Sequence, residues 1–272
     1  MSPRAAIIAN SIELGLVFAG LVLLWPLVLR RDAHARSGAV ASPLTPWTTP
    51  LSDFLIFLWL IICGGIVAQF ASTFFFAGHS EDGKLVIGNA ALEFGMLGGI
   101  AVYRFGLARE KAPIVFAPLE SLFTGVVTFI VAMPIVVGTG LLWQYLLTSV
   151  GLPIEPQDMI GRLAAAESPK LLVAMIVLAT VTAPIAEEFI FRAGIFRYAR
   201  TRLPRWAALL APACLFAALH QSLSTFAPLV ALGIIFSLAY ERTGRIGTAI
   251  VAHGLFNAHT VAIILIDPNA AN

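Results

Sequence analysis

The sequence predicts an all-α, polytopic membrane protein, with about eight transmembrane helices around a polar cavity. Three observations carry that expectation. Of the 272 residues, 59% are hydrophobic and only 12% charged, with a mean hydropathy of +0.90; a soluble domain carries about 25% charged residues. The chain also falls into eight apolar runs, each near the ~20 residues needed to cross the hydrocarbon core. Finally, the hexapeptide EEFIFR, Glu187 to Arg192, sits inside one of those runs. Each charge at a bilayer centre costs roughly 2.5–3.5 kcal/mol, so such groups face a bundle interior or a water-filled cavity.

The runs follow in order. Residues 7–29 form the first and hold Glu13 near one end, where its carboxylate reaches the interface. Ala33-His34-Ala35 has the small-x-small pattern of a signal cleavage site. The apolar run before it is too long and ends in Arg30 and Arg31, so an uncleaved anchor is expected. A connection over 30–51 is rich in Pro, Ser and Thr. The second run is 52–77, with Cys63. The third, 85–107, carries Gly95 and Gly99 as a GxxxG pair beside Gly98, a signal for close helix contact. It also holds Glu93, deeper than Glu13, for which a hydrogen bond between helices is the preferred role over catalysis. The fourth run is 119–148. The connection 149–169 contains Pro153, Pro156 and Asp158 and is expected to include a short interfacial helix. The remaining runs are 170–196, 206–222 with Cys214, 225–241 and 246–266. Both cysteines read as small core residues, with no disulfide or cysteine metal site. No soluble domain, repeat or low-complexity tail stands apart, so residues 1–272 form a single integral membrane domain. The net charge of +2 gives no footprint for nucleic acid.

Basic residues set the orientation. Arg30, Arg31, Arg36, Arg104, Arg109, Lys111, Arg197, Arg200, Arg202, Arg205, Arg242 and Arg245, twelve of the 17 Lys and Arg, follow odd-numbered runs. The excess of Lys and Arg in cytoplasmic loops then places these loops in the cytoplasm and both termini outside.

Helical spacing gives the polar residues separate tasks. Glu188 and Arg192 are i and i+4, share a face and pair. Glu187, turned about 100° away, is left to face something else. The sixth run offers Phe216 and His220 (FxxxH) and the eighth His253 and Asn257 (HxxxN), each pair on one helical face. About 22 Å of helix separates Glu187 from the basic turn near Leu203-Pro204, and about 24 Å leads back up to His220. His253 and Asn257 stand about 12 and 18 Å above Arg245. All four groups therefore meet near one level of the membrane. Pro184, one turn before Glu187, removes a backbone donor and opens space there.

A carboxylate beside an imidazole holds a water and takes its proton. A second imidazole and an amide donate to a developing oxyanion. Together they describe water attack on an amide, with no GxSxG or HExxH in the chain. One Glu and two His can instead ligate a divalent metal such as zinc with a site left for water; the ligands would be Glu187, His220 and His253.

EEFIFR, FAALH and HGLFN resemble the EExxxR, FxxxH and HxxxN motifs of the CAAX-protease and bacteriocin-processing family of intramembrane endopeptidases. The likeness covers a catalytic core at about 170–260, and every motif position is filled. It implies that Glu187 and His220 activate water. It further implies that His253 and Asn257 form the oxyanion hole, and that Glu188, Arg192 and Phe216 support the site. Many members are described as metalloproteases; the glutamate mechanism needs no metal and is preferred. The expected partners are membrane lipid and a protein or peptide substrate, in a bacterial plasma membrane. A proton-coupled transporter and a non-catalytic bacteriocin-immunity or scaffold protein of the same fold are the rival readings. Against the transporter stands the lack of paired interrupted helices in corresponding halves.

Overall fold

A computed structural model describes residues 3–29, 42–108, 114–115, 117–154 and 168–266. All eight apolar runs are helical: α1 (Arg4–Leu29), α2 (Leu51–Phe75), α3 (Glu81–Leu107), α4 (Pro118–Ser149), α5 (Pro169–Ala199), α6 (Arg205–Leu219), α7 (Phe226–Thr243) and α8 (Ile246–Ile266). Among the described residues no β-strand forms. Seven of the helices are long and apolar enough to cross a membrane, so the protein is an all-α, polytopic, integral membrane protein. The sixth run is shorter than expected. At 15 residues α6 spans about 22 Å, against a core of about 30 Å. It stops because His220 caps it and Gln221 then turns into the left-handed region at φ 53°. Most of the 149–169 connection, in which an interfacial helix is expected, lies outside the described residues (155–167), as do Arg30, Arg31, Arg36, Arg109 and Lys111.

Two packing devices position the site. The first is the α2–α3 hairpin. A Cβ at Gly95 would overlap the carbonyl of Gly64, and one at Gly99 the carbonyl of Leu60. The GxxxG pair of α3 therefore meets α2 backbone to backbone, whereas Gly98 faces nothing within 4 Å. Forcing a side chain into such a contact costs about 1–3 kcal/mol. Gly95→Leu is expected to lower the melting temperature of the purified protein, with Gly98→Leu melting as wild type. Equal melting of the two would show that the hairpin does not depend on this contact.

The second device is at the basic end. The extended segment 42–50 crosses beneath the bundle and is tied down through its carbonyls. Arg197 Nε donates to Thr45 O at 2.6 Å, Thr201 Oγ1 to Trp47 O at 3.2 Å, and Arg202 to Trp47 O and Thr49 O. Trp47 is buried among Phe54, Phe57, Tyr103 and Tyr198. Glu241 of α7, buried, pairs with Arg200 at 2.6 Å and Arg205 at 2.7 Å. Its carbonyl accepts from Ser42 Oγ at 2.7 Å. Val115 bridges to Arg245. Parts of all four odd-numbered connections thus meet at one end of the bundle. Of the arginines around the α5–α6 turn, Arg202 and Arg205 are exposed, whereas Arg197 is 3% exposed and held by the 42–50 segment, which carries no periodic signal. At the opposite end Trp143 Nε1 donates to Leu223 O at 2.7 Å, joining α4 to the break after α6.

Between these devices α5 packs against α3, α6, α7 and α8. It is the element that carries EEFIFR.

Candidate active site

The course of α5 is irregular where the charged residues lie. The helix runs regularly over Pro169–Val177, widens over Leu178–Thr182, is regular again over Ala183–Glu188 and widens once more over Phe189–Phe196. Wide, π-type turns occur mostly as single-turn bulges, frequently at functional sites. The first has a local cause. Pro184 lacks an N–H, and its ring clashes with the carbonyl of residue i−4, here Thr180; widening the preceding turn relieves that clash. The two adjacent glutamates therefore ride on one regular turn between two wide ones.

The glutamates have different surroundings. Glu188 is 0% exposed. Its Oε1 accepts from Arg192 Nη1 at 2.7 Å and from His253 Nδ1 at 2.8 Å. Arg192 is equally buried. Its guanidinium lies 4.7 Å from the Phe216 ring centre and 5.3 Å from that of Phe236, with Nη2 facing Gly233 O at 3.4 Å. An arginine between aromatic faces is held by the ring quadrupoles as well as by its acid. Glu187 has no such pair. Its side chain is 26% exposed, and its Oε2 lies 3.7 Å from His253 Nε2. That oxygen is buried and accepts no hydrogen bond from the protein. Glu93 of α3 lies near enough to Glu187 for their charges to interact. Its Oε2, too, is buried and accepts none.

The histidines follow from their acceptors. A carboxylate or a carbonyl only accepts, so the ring nitrogen facing it carries the proton. His253 therefore bears its proton on Nδ1, toward Glu188, and turns Nε2 toward Glu187. His253 is buried, stacked 5.3 Å from Phe236 and edge-on 5.9 Å from Phe216. His220 donates Nδ1–H to Phe216 O at 2.8 Å and turns Nε2 outward as a free acceptor. Its ring packs 4.6 Å from that of Phe216. Phe216 is thus the wall between Arg192, His220 and His253.

Glu187, Glu188, Arg192 and His253 are brought into one contiguous cluster, and His220 joins through Phe216. No ion pair or hydrogen bond links His220 to Glu187 among the described residues. Asn257 does not turn toward the glutamates: its Nδ2 donates to Ala179 O, in the first wide turn, at 2.7 Å. Among the described residues no group of three or more His, Cys, Asp or Glu gathers as a metal would require. Glu187, His220 and His253, the ligand set expected for a metal, do not fit together as one here.

Two contributors were not foreseen from the sequence. Phe236 of α7 touches both Arg192 and His253 but belongs to none of the three motifs. Gly254 lets α8 approach α5 so closely that a Cβ there would lie 2.7 Å from Thr180 O. The glycine inside HGLFN was the one available signal for that contact.

Comparison with known proteins finds relatives over the segment that carries this site. Residues 169–259 match the family model described as "Type II CAAX prenyl endopeptidase Rce1-like". Among curated proteins, "Putative membrane peptidase YdiL" of Bacillus subtilis (strain 168) is 33% identical over 94 residues. That match covers 35% of this chain and 38% of the relative, so the chain aligns with less than two-fifths of that relative's length. No solved structure matches the chain. The resemblance to the CAAX-protease family drawn from EEFIFR, FAALH and HGLFN is borne out over the segment that carries those motifs.

Proposed function

We propose that this protein is an intramembrane endopeptidase that hydrolyses a peptide bond of a membrane-associated protein or peptide. The observation that carries the reading is the division between the two glutamates. Glu188 is fully buried with its Oε1 held by both Arg192 and His253, while Glu187 is part-exposed and makes no ion pair with an arginine or lysine among the described residues. Of the two, Glu187 is the one that water can reach, and it is assigned as the base. The match over 169–259 supports peptide hydrolysis as the chemistry.

In this mechanism Glu187 takes a proton from water, whose oxygen bonds to the substrate carbonyl carbon. His220, with Nε2 outward as an acceptor, orients that water; catalytic hydrogen bonds that are long in a free enzyme tighten when substrate binds. The carbonyl oxygen gains charge and is stabilised by donors aimed at it. His253 Nε2 is the donor on the Glu187 side, and it donates only when the ring carries both protons, since Nδ1 is committed to Glu188. Asn257 has one N–H on Ala179 O and a second for the substrate. The C–N bond then breaks, and the proton held by Glu187 passes to the leaving amine.

The residues 170–260 form the catalytic core of a single membrane domain, with lipid and the substrate peptide as partners and the basic end of the bundle in the cytoplasm. The test uses purified protein in lipid bilayers with a peptide library. New amino termini are expected from wild type and none from Glu187→Gln; no new amino termini from the wild-type protein would end the peptidase reading. Treatment with a strong chelator, followed by elemental analysis, is expected to leave activity in place. Loss on metal removal and recovery on readdition would make the enzyme metal-dependent.

A further inference from the structure

The two residues that flank the first wide turn solve one hydrogen-bonding problem. In a regular helix each N–H bonds to the carbonyl four residues back. Here Ala183 N–H reaches one further, to Leu178 O. In that shifted pattern the next carbonyl, Ala179 O, would receive the N–H of residue 184. Residue 184 is proline and has none. A carbonyl left without a donor is costly in proportion to its burial, up to about 1–3 kcal/mol when fully buried, and Ala179 is half-buried. Asn257 Nδ2 donates to that carbonyl at 2.7 Å. The neighbouring carbonyl, Thr180 O, is the one crowded by the proline ring and the one against which Gly254 fits. Around the first wide turn and the acids, helix α8 sets His253 on Glu188, Gly254 on Thr180 and Asn257 on Ala179.

We propose that Asn257 is a positioning residue: its side-chain N–H replaces the backbone N–H that Pro184 lacks and fixes the wide turn that aims Glu187 at His253. The proposal rests on the reading of Glu187 as the base. Glu187 comes three residues after Pro184, so a change in the turn rotates it. A misplacement of about 1 Å lowers a rate by about 10²-fold. The role is additional to the second N–H that Asn257 offers the substrate oxygen, because it acts before substrate arrives and depends on residue 184.

That dependence sets the experiment. Wild type, Asn257→Ala, Pro184→Ala and the double variant are compared in bilayers for kcat and KM on a cleaved peptide. Amide hydrogen exchange over residues 178–188 is measured without substrate. Removing Asn257 is expected to lower kcat about 10²-fold with KM little changed, and to speed exchange in that stretch. In the Pro184→Ala background, where residue 184 supplies an N–H, the same removal should cost no more than a few-fold, and exchange should change little. An equal loss of activity in both backgrounds would overturn the proposal and leave Asn257 with its donation to the substrate alone. Unchanged exchange in Asn257→Ala would overturn it as well. The exchange arm needs no substrate, so it judges the brace separately from the peptidase reading.

Discussion

Arg192→Ala is expected to destabilise the protein by about 3–5 kcal/mol, the scale of breaking a buried ion pair by removing one partner. The substitution deletes the Nη1 donor 2.7 Å from Glu188 Oε1 and leaves a carboxylate that is 0% exposed with His253 as its remaining donor. It also empties the space between Phe216 and Phe236, so their faces lose a cation at 4.7 and 5.3 Å. Glu188→Ala should be as damaging, because it strands a buried guanidinium. Charge balance, rather than volume, is the larger effect. Replacing both residues, as Glu188→Leu with Arg192→Leu, should therefore melt above either single alanine variant; well-packed apolar replacements of buried pairs are often neutral. That double variant is still expected to be inactive, because His253 loses the acceptor that orients Nδ1. Thermal melting of the four proteins checks the ranking. Single variants that melt with wild type would mean that water reaches the pair.

The features legible in the sequence were those that repeat with a helical period. Apolar runs gave the helices, and i, i+4 spacing gave the Glu188–Arg192 contact and the shared faces of α6 and α8. The features that were not legible are contacts between elements far apart in the chain. Phe236 looks like any other apolar residue of α7, yet it holds Arg192 and His253 at once. Glu241 reads as an acid at a helix end, but three elements converge on it. Segment 42–50 has no periodicity, and its grip on Arg197, Thr201 and Arg202 runs mostly through carbonyls, which every residue possesses. Asn257 shows the limit of spacing arguments most clearly. HxxxN places His253 and Asn257 on one face of α8, and both do meet α5, but at different levels. His253 meets the regular turn that carries the acids. Asn257 meets the wide turn before it, because Pro184 leaves a carbonyl there without its backbone donor. Sequence reading identified the weakened helix at Pro184 and the amide at 257 without a way to join them.

Glu187→Gln is expected to remove peptide cleavage while leaving the fold intact. Loss of a general base costs typically 10²–10⁴-fold in rate. The amide keeps the shape of the carboxylate and can still accept a hydrogen bond from water, but it does not take up the proton. The fold depends less on this charge than Arg192 depends on Glu188: Glu187 forms no ion pair with an arginine or lysine among the described residues, acts on Arg192 only without direct contact, and lies 3.7 Å from His253 Nε2. Melting should therefore match wild type, in contrast to Arg192→Ala. His220→Ala should also lower kcat, since its outward Nε2 orients the same water, and it should combine with Glu187→Gln sub-additively if both serve one transition state. The measurement is kcat/KM for each single variant and the double, with melting as the control on folding. A Glu187→Gln protein that melts as low as Arg192→Ala would assign both glutamates to structure. One that is folded and cleaves near the wild-type rate would move the base to Glu93, whose buried Oε2 accepts nothing from the protein and which lies within charge-interaction reach of the same site.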